Sequence, residues 1–372
     1  MSNLADSVSA LSKTTPQLPV SWYFDPEIFE LEKKLLFDNG PGYVGHALMV
    51  PEQGNYHALE RLEGGKVLVN NANGIEMLSN VCRHRQAIML KGRGKLPSDN
   101  IVCPLHRWTY NAQGELLGAP YFPGNPCMNL SKSLLQNWNG LLFNGKRDVR
   151  ADLANVGVAG DLDFSGYMLD RVVVEHAPYN WKTFIEVYLE DYHVEPFHPG
   201  LGNFVTCDDL SWEYGEWYSV QTVGVASGFG KRFGSDTYRK WQEQVLNYRN
   251  GEKPRHGAIW LTYYPNVMVE WYPHVLVVSS VWPTGIESMM NVVEFYYPED
   301  IALFEREFVE AEQAAYMETA VEDHEIAQRM HDGRRTLYKQ GISEEGPYQS
   351  PMEDGLVHFH EFMRRQIQPH CP

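Results

Sequence analysis

Positive charge is scarce in this chain. Its 372 residues hold 31 Lys and Arg against 48 Asp and Glu, a formal net charge of −17. A surface so acidic repels phosphate backbones and anionic lipid, so neither nucleic acid nor a membrane surface is expected as a partner, and cationic partners are admitted. Long apolar runs are also missing: the longest lies around Val275 to Trp282, far short of the roughly 18 residues that a membrane span needs. The opening stretch Met1–Thr15 is polar and lacks an apolar core, so no signal peptide is expected. Cysteines are few and odd in number, namely Cys82, Cys103, Cys127, Cys207 and Cys371. That argues against a disulfide framework and for a reducing, cytoplasmic compartment. Internal repeats and low-complexity tracts are absent.

What remains is the composition of a folded globule, 43% hydrophobic and 13% aromatic, in a length that suggests two domains. Asp25-Pro26 opens a helix whose apolar periodicity runs from Phe29 to Leu36 and stops at Asp38-Asn39-Gly40-Pro41. From Tyr43 to about Asn144, short alternating runs split by Gly64-Gly65, Asn73-Gly74 and Gln113-Gly114 predict antiparallel β structure. A loop rich in Asp, Asn and Gly between Asn144 and Gly166 marks a boundary. After it the pattern predicts one helix from Asn180 to about Tyr192, then a block rich in Trp and Tyr. An antiparallel sheet follows over Ile259 to Phe295, and a long acidic helix from about Asp300 to Tyr338.

Two pairs of metal-ligating residues fall inside the β region, Cys82-Arg83-His84 and Cys103-Pro104-Leu105-His106. A structural zinc site more often puts two cysteines on one knuckle and two histidines on a helix. Here each knuckle mixes one thiolate with one imidazole. That is the supply a two-iron, two-sulfur cluster needs when histidines replace cysteines on one iron, an exchange that raises its potential to about −150 to +300 mV from about −400 mV. The string Asn80-Val81-Cys82-Arg83-His84-Arg85, followed by Cys103-Pro104-Leu105-His106-Arg107-Trp108-Thr109-Tyr110, Gly114 and Gly118-Ala119-Pro120, resembles the Rieske domain of ring-hydroxylating-type oxygenases. Most members carry Tyr and Gly where this chain has Leu105 and Arg107. The resemblance implies that Trp108 packs beside the cluster.

A second constellation lies in Asn180-Trp181-Lys182 through His198. Asn180 is a candidate N-cap, and on a continuous helix Glu186, Glu190 and His193 share one face. His198 would point about 140° away from His193 at ~100° per residue, so the helix must be distorted or end near Pro196 for both imidazoles to reach one metal. Two histidines and one carboxylate form a facial triad that holds ferrous iron and leaves positions open for dioxygen. The best distant carboxylate is Asp323 in Val321-Glu322-Asp323-His324-Glu325, with Glu322 and Glu325 as rivals. Taken singly, these residues read as a solvated helix face; their order along one chain with the Cys-His pairs changes that.

Here too the chain resembles the oxygenase family, in which an Asp on a similar Glu-Asp helix supplies the third ligand. The family motif normally has Asp where this chain has Glu190, at the position that links the mononuclear site to a cluster histidine of the neighbouring subunit. Glutamate there resembles the carnitine and choline type of oxygenase. Asp191 could substitute only if the helix were rotated.

The resemblance spans nearly the whole chain, from Leu18-Pro19 to Tyr264-Pro265-Asn266 and beyond. It implies an α+β fold: an all-β Rieske domain over 41–150 and a mononuclear iron catalytic domain over 160–372. The latter would have a twisted antiparallel sheet covered by helices (helix-grip, START-like), with segment 1–40 packing on it. It further implies a terminal oxygenase that uses a [2Fe-2S] cluster, mononuclear Fe(II) and O2 on a small-molecule substrate, in a head-to-tail homotrimer. No plant-type ferredoxin run is present, so electrons from NAD(P)H are expected through a separate reductase or ferredoxin. Glu190 and the Trp/Tyr supply suggest hydroxylation or oxidative N-demethylation of a quaternary ammonium compound. The alternatives are attack on an aromatic ring or aromatic acid, and a non-catalytic electron carrier.

Other signals read as structural. Gly228 to Gly234 is off dinucleotide spacing, and Cys127, Cys207 and Cys371 have no partner motif. His358 and His360 are taken as surface or subunit-contact residues rather than a third metal site. Trp212, Tyr214, Trp217, Tyr218, Trp260, Trp271 and Trp282 are core or interface aromatics, with a cation cage as the functional alternative.

Overall fold

A computed structural model describes residues 17–371; the polar stretch Met1–Thr15 lies outside them. The described chain divides into two compact units, Asn39–Ala151 and the remainder. Among the described residues no helix is long and apolar enough to cross a membrane.

The unit Asn39–Ala151 is built from short antiparallel strands in one five-stranded and two three-stranded sheets. The hairpin of Lys66–Asn71 and Gly74–Ser79 turns where the sequence places Asn73-Gly74. The Asn71 side chain accepts from the Asn73 N–H at 2.8 Å, and Gly74 takes φ +100° without a Cβ clash. Alternation puts Val67, Val69 and Leu78 into one core with Ile101, Tyr110 and Leu116, and both Cys82 and Cys103 join it.

In the other unit seven strands run antiparallel: β1 (Tyr167–Ala177), β2 (Val205–Tyr214), β3 (Tyr218–Val225), β4 (Ala258–Tyr263), β5 (Val267–Tyr272), β6 (Val275–Gly285) and β7 (Ser288–Pro298), in the order β1-β7-β6-β5-β4-β3-β2. The register sets Gln221 opposite Trp260, and Trp260 opposite Glu270. Residues directly opposite in adjacent strands share a face, so these three form a row across β3, β4 and β5. A long helix, Arg306–Gln340, lies against this face, and Phe308, Val309 and Ala315 enter one core with Val277, Val293 and Phe295. This is the sheet gripped by a helix that the resemblance implies. The C-terminal helix Asp354–Ile367 brings Phe362 against Trp217 and Tyr264, at ring centroid distances of 4.9 and 4.7 Å.

Two helix expectations need correction. The helix from Asn180 ends at Tyr188 rather than about Tyr192, and a second short one spans Val194–Phe197. Pro196 explains the break: inside one continuous helix it would remove a hydrogen bond and clash with the preceding turn, whereas in the first turn of a new helix its missing N–H costs nothing. The Asp191 N–H is taken instead by the Met352 carbonyl at 2.9 Å. The long acidic helix is likewise two pieces, Glu299–Phe304 and Arg306–Gln340, broken at Glu305. The first helix, capped by Asp25, runs Pro26–Glu32 and then widens into a π turn over Lys33–Phe37.

The motif Asn180-Trp181-Lys182 has a positional role. Asn180 caps the helix through the Lys182 N–H at 3.0 Å and donates to the carbonyls of Tyr23 and Ile286 at 3.0 and 2.8 Å. Lys182 and Trp181 both reach the fully buried Glu32, at 2.6 and 2.9 Å. A buried carboxylate needs such partners.

Candidate metal centres and substrate pocket

The two Cys-His loops close in the same way. The Cys82 N–H donates to Ala87 O at 2.9 Å and the Gln86 N–H to Cys82 O at 3.1 Å; the Cys103 N–H donates to Trp108 O at 2.8 Å and the Arg107 N–H to Cys103 O at 3.1 Å. Gln86 and Arg107 hold matching positions with φ +54° and +60°, a conformation that disfavours a residue with a Cβ by about 1–2 kcal/mol. The glycine usual at the position of Arg107 would take it freely. The loops bring the imidazoles of His84 and His106 to 4.6 Å between centroids, and Trp108 stacks on His84 at 5.0 Å with 6° between planes.

Both thiols are buried, and His84 Nδ1 is a buried nitrogen with no hydrogen-bond partner. An orphaned imidazole nitrogen beside two buried thiols fits a cluster with mixed ligands. The Tyr110 hydroxyl lies 3.6 Å from Cys82 Sγ and accepts from the Arg83 N–H at 3.2 Å. Burial and the neighbouring Cys82 sulfur push its phenol above the usual range, so it keeps its proton to donate. A donor to a ligand sulfur stabilises the more negative, reduced cluster. Tyr110→Phe is therefore expected to lower the cluster's midpoint potential by roughly 40–80 mV, one lost hydrogen bond expressed for one electron; redox titration followed by EPR checks it.

In the other unit the early end of the second short helix solves the 140° problem: His198 leaves it in extended backbone, with φ −103° and ψ 92°. His193 precedes Val194–Phe197 and His198 follows it, and the ring centroids come to 4.9 Å. One ligand atom each from His193, His198 and Asp323 lies within 4.8 Å of the others. Asp323 Oδ1 is 3.0 Å from His198 Nε2 and 3.4 Å from His193 Nε2, yet this buried oxygen has no aligned hydrogen-bond donor. Atoms that approach without hydrogen-bonding direction fit ligands facing a shared centre. Two neutral imidazoles and a carboxylate match ferrous iron.

A carboxylate stands beside each of the other ring nitrogens. Glu190 Oε1 stands 2.6 Å from His193 Nδ1, and Glu322 Oε2 2.7 Å from His198 Nδ1. Glu322 is hydrogen-bonded to His198 Nδ1 and so leaves that ring's Nε2 toward Asp323, whereas His193 Nδ1 has the Glu190 carboxylate close by without an aligned hydrogen bond. Burial opposes charging His193, but Asp323 and Glu190 outweigh it and draw its pKa up to about 10. His198 is raised by Asp323 and Glu322 against the same penalty. Burial would raise Asp323, yet the two imidazoles hold it below the usual carboxylate range. These groups share protons that a divalent cation would displace.

Beside the triad opens a partly enclosed cavity. Glu175, Glu190, Asp191, Glu270 and Asp323 line it, and among the described residues lining it none is Lys or Arg. Burial, aided by Glu190, pushes the Asp191 carboxyl up to about 7. Burial lifts Glu270 to about 7 as well, although Tyr272 and Tyr316 pull it down. Trp241, Trp260, Tyr272 and Tyr316 supply aromatic walls.

Several residues depart from the sequence reading. Glu186 does not share a face with Glu190 and His193. It turns into the interior, where it meets Arg334 at 2.5 Å, His360 at 2.9 Å and the Tyr23 hydroxyl. His360 is therefore core rather than surface, and His358 pairs separately with the Tyr264 hydroxyl at 2.9 Å. Of the rival acids, Glu325 pairs with Arg329 and Glu322 holds His198. Trp260 lines the cavity, whereas Trp217 is core. The sequence reading missed Glu270. Its signal was a lone charge in the apolar run Val267-Met268-Val269-Glu270-Trp271-Tyr272.

Comparison with known proteins places the chain in a lineage. A model of the ring hydroxylating alpha subunit catalytic domain matches residues 165–369, and one of the Rieske [2Fe-2S] domain matches residues 41–132. A putrescine 2-hydroxylase of Ralstonia nicotianae is 67% identical over 98% of this chain and 99% of its own. One of Bordetella bronchiseptica is 56% identical over 94% of this chain and 84% of its own. The solved structure of the quaternary ammonium Rieske monooxygenase CntA with L-carnitine is 18% identical, with a TM-score of 0.72 over 96% of this chain and 97% of that one.

Proposed function

This chain belongs to the ring-hydroxylating family of Rieske non-haem iron oxygenases, and from that premise we propose that its substrate is a short aliphatic diamine, putrescine or a close analogue, hydroxylated at carbon. It is a terminal oxygenase that hydroxylates a small molecule with a Rieske [2Fe-2S] cluster, a mononuclear iron and O2. Such oxygenases work with a separate reductase or ferredoxin. The electron-carrier reading falls with the match of the catalytic domain. For each turnover one C–H bond gives way to C–OH, two electrons and two protons enter, and the second oxygen atom leaves as water. When bound, the iron supplies open positions for dioxygen and the cluster supplies electrons one at a time.

In this reading Cys82, His84, Cys103 and His106 hold the cluster, and His193, His198 and Asp323 hold the iron. Glu190 stands 2.6 Å from His193 Nδ1 and, by the resemblance, faces a cluster histidine of the next subunit in a head-to-tail homotrimer, a closed heterologous ring. The observation that carries the diamine is the charge of the cavity wall: five carboxyl groups, Asp191 and Glu270 among them buried, with no Lys or Arg among the described lining. A carnitine or aromatic acid would bring a carboxylate there uncompensated. A dication would instead favour the ionised form of Asp191 and Glu270. The names of the 67% and 56% identical relatives agree.

The holoenzyme with a surrogate reductase, NADH and O2, offered putrescine, carnitine and salicylate separately, is expected to add one oxygen atom to putrescine without releasing formaldehyde. Faster turnover of carnitine with formaldehyde would favour the quaternary ammonium reading, and product from salicylate alone the aromatic one.

A further inference from the structure

The deep wall of the cavity holds acceptors that the iron chemistry does not use. Glu270 is 1% exposed, and each of its oxygens receives one hydrogen bond: Tyr316 donates to Oε1 at 3.0 Å and Tyr272 to Oε2 at 2.8 Å. Tyr272 is itself fixed by the Trp260 indole N–H at 2.9 Å. A carboxylate offers about four lone-pair directions, so acceptor capacity is left over. Gln221 sits two strands away in the row through Trp260, is 2% exposed, and spends its amide N–H on the Tyr188 carbonyl at 3.1 Å. Its Oε1 is buried without a donor, and so is the Tyr188 hydroxyl oxygen. Glu270 also exerts the leading charge effect on the Tyr188 phenol after burial, which places the two near each other. All three line the cavity.

We propose that Glu270, Gln221 and Tyr188 form an ammonium subsite that receives one charged end of the substrate and so determines which carbon is presented to the iron. Three acceptors with spare capacity match the three N–H donors of a primary ammonium, and the aromatic side chains of Trp260, Tyr272 and Tyr316 line the same cavity. A quaternary ammonium has no N–H to give, so its binding would leave Gln221 and Tyr188 unmatched, a cost of buried polar groups. The tyrosine and tryptophan hydrogen bonds fix the carboxylate before substrate arrives, so little ordering remains to be done on binding. The inference rests on the diamine reading above and adds the residues that enforce it.

The test uses the holoenzyme of wild type, Glu270→Gln, Glu270→Asp and Gln221→Leu. Putrescine binding is measured calorimetrically without O2, alongside kcat, KM and product per NADH; the cluster EPR signal and iron content serve as controls. Glu270→Gln keeps shape and removes charge, and is expected to weaken putrescine binding at least about 30-fold, the effect of a charge-assisted hydrogen bond in a buried site. Glu270→Asp should recover part of that loss, and Gln221→Leu should weaken binding about 10-fold. Unchanged binding in Glu270→Gln overturns the subsite while leaving the diamine reading intact. Equal losses in Glu270→Gln and Glu270→Asp overturn it too, since packing rather than charge would then be at work. Wild type that neither binds nor hydroxylates putrescine overturns the diamine reading, and the subsite with it.

Discussion

Asp323→Ala is expected to abolish hydroxylation, with a loss well beyond the roughly 10- to 100-fold that outer partners of metal ligands cost, while the Rieske EPR signal stays at wild-type strength. Asp323 is the only anion among the three atoms that converge. Without it two neutral imidazoles would face a divalent cation alone, and iron per chain should fall toward zero. The fold should survive, because alanine is the best helix former and position 323 lies within the Arg306–Gln340 helix. Neighbouring carboxylates offer no rescue: Glu322 already holds His198 at 2.7 Å, and Glu325 is paired with Arg329 on the surface. Metal analysis, product yield and EPR on one preparation check this. Full iron content with normal turnover would remove Asp323 from the assignment.

Glu190→Gln is the second large effect, and it separates two functions that one side chain serves. The substitution conserves volume but removes the charge facing His193 Nδ1 at 2.6 Å. If Glu190 also links the iron to a neighbouring cluster, turnover should drop roughly 100-fold with iron retained and KM little changed. In a single-turnover experiment the reduced cluster should then reoxidise slowly when O2 and substrate are mixed in. Were Glu190 only a holder of His193, iron affinity would fall instead, and reoxidation would be normal once iron was saturating. The His193 N–H donates to Glu190 Oε2 at 3.1 Å, a bond that a glutamine oxygen can still accept, so the local turn should persist.

Both metal centres were legible because metal chemistry restricts residue type and spacing. Cysteine and histidine alternating on two short loops leave few other readings, and the two loops close alike and bring their imidazoles together. The His193 and His198 pair was visible too, together with the demand that the helix be distorted or end near Pro196, as it does at Phe197. A second break, between Tyr188 and His193, was not: helical periodicity continues through Glu190, and only the docking of Asp191 against the Met352 carbonyl and the tolerance for Pro196 in a new first turn settle where the chain bends. The misplacement of Glu186 follows directly. On one continuous helix it would stand with Glu190, and on the broken one it faces Arg334 and His360.

By itself, then, the sequence determined the inventory: two Cys-His loops, a His pair, an acidic residue on a long helix, and an aromatic-rich antiparallel sheet. These are local patterns written in adjacent residues. Tertiary structure alone decided which acid serves which histidine, and that a lone glutamate on a central strand would stand in a row with Gln221 and Trp260 facing the cavity. Such pairings depend on strand register and on the packing of a distant helix over the sheet. One residue of slip turns every side chain on a strand to the opposite face, and no stretch of sequence read alone contains that information.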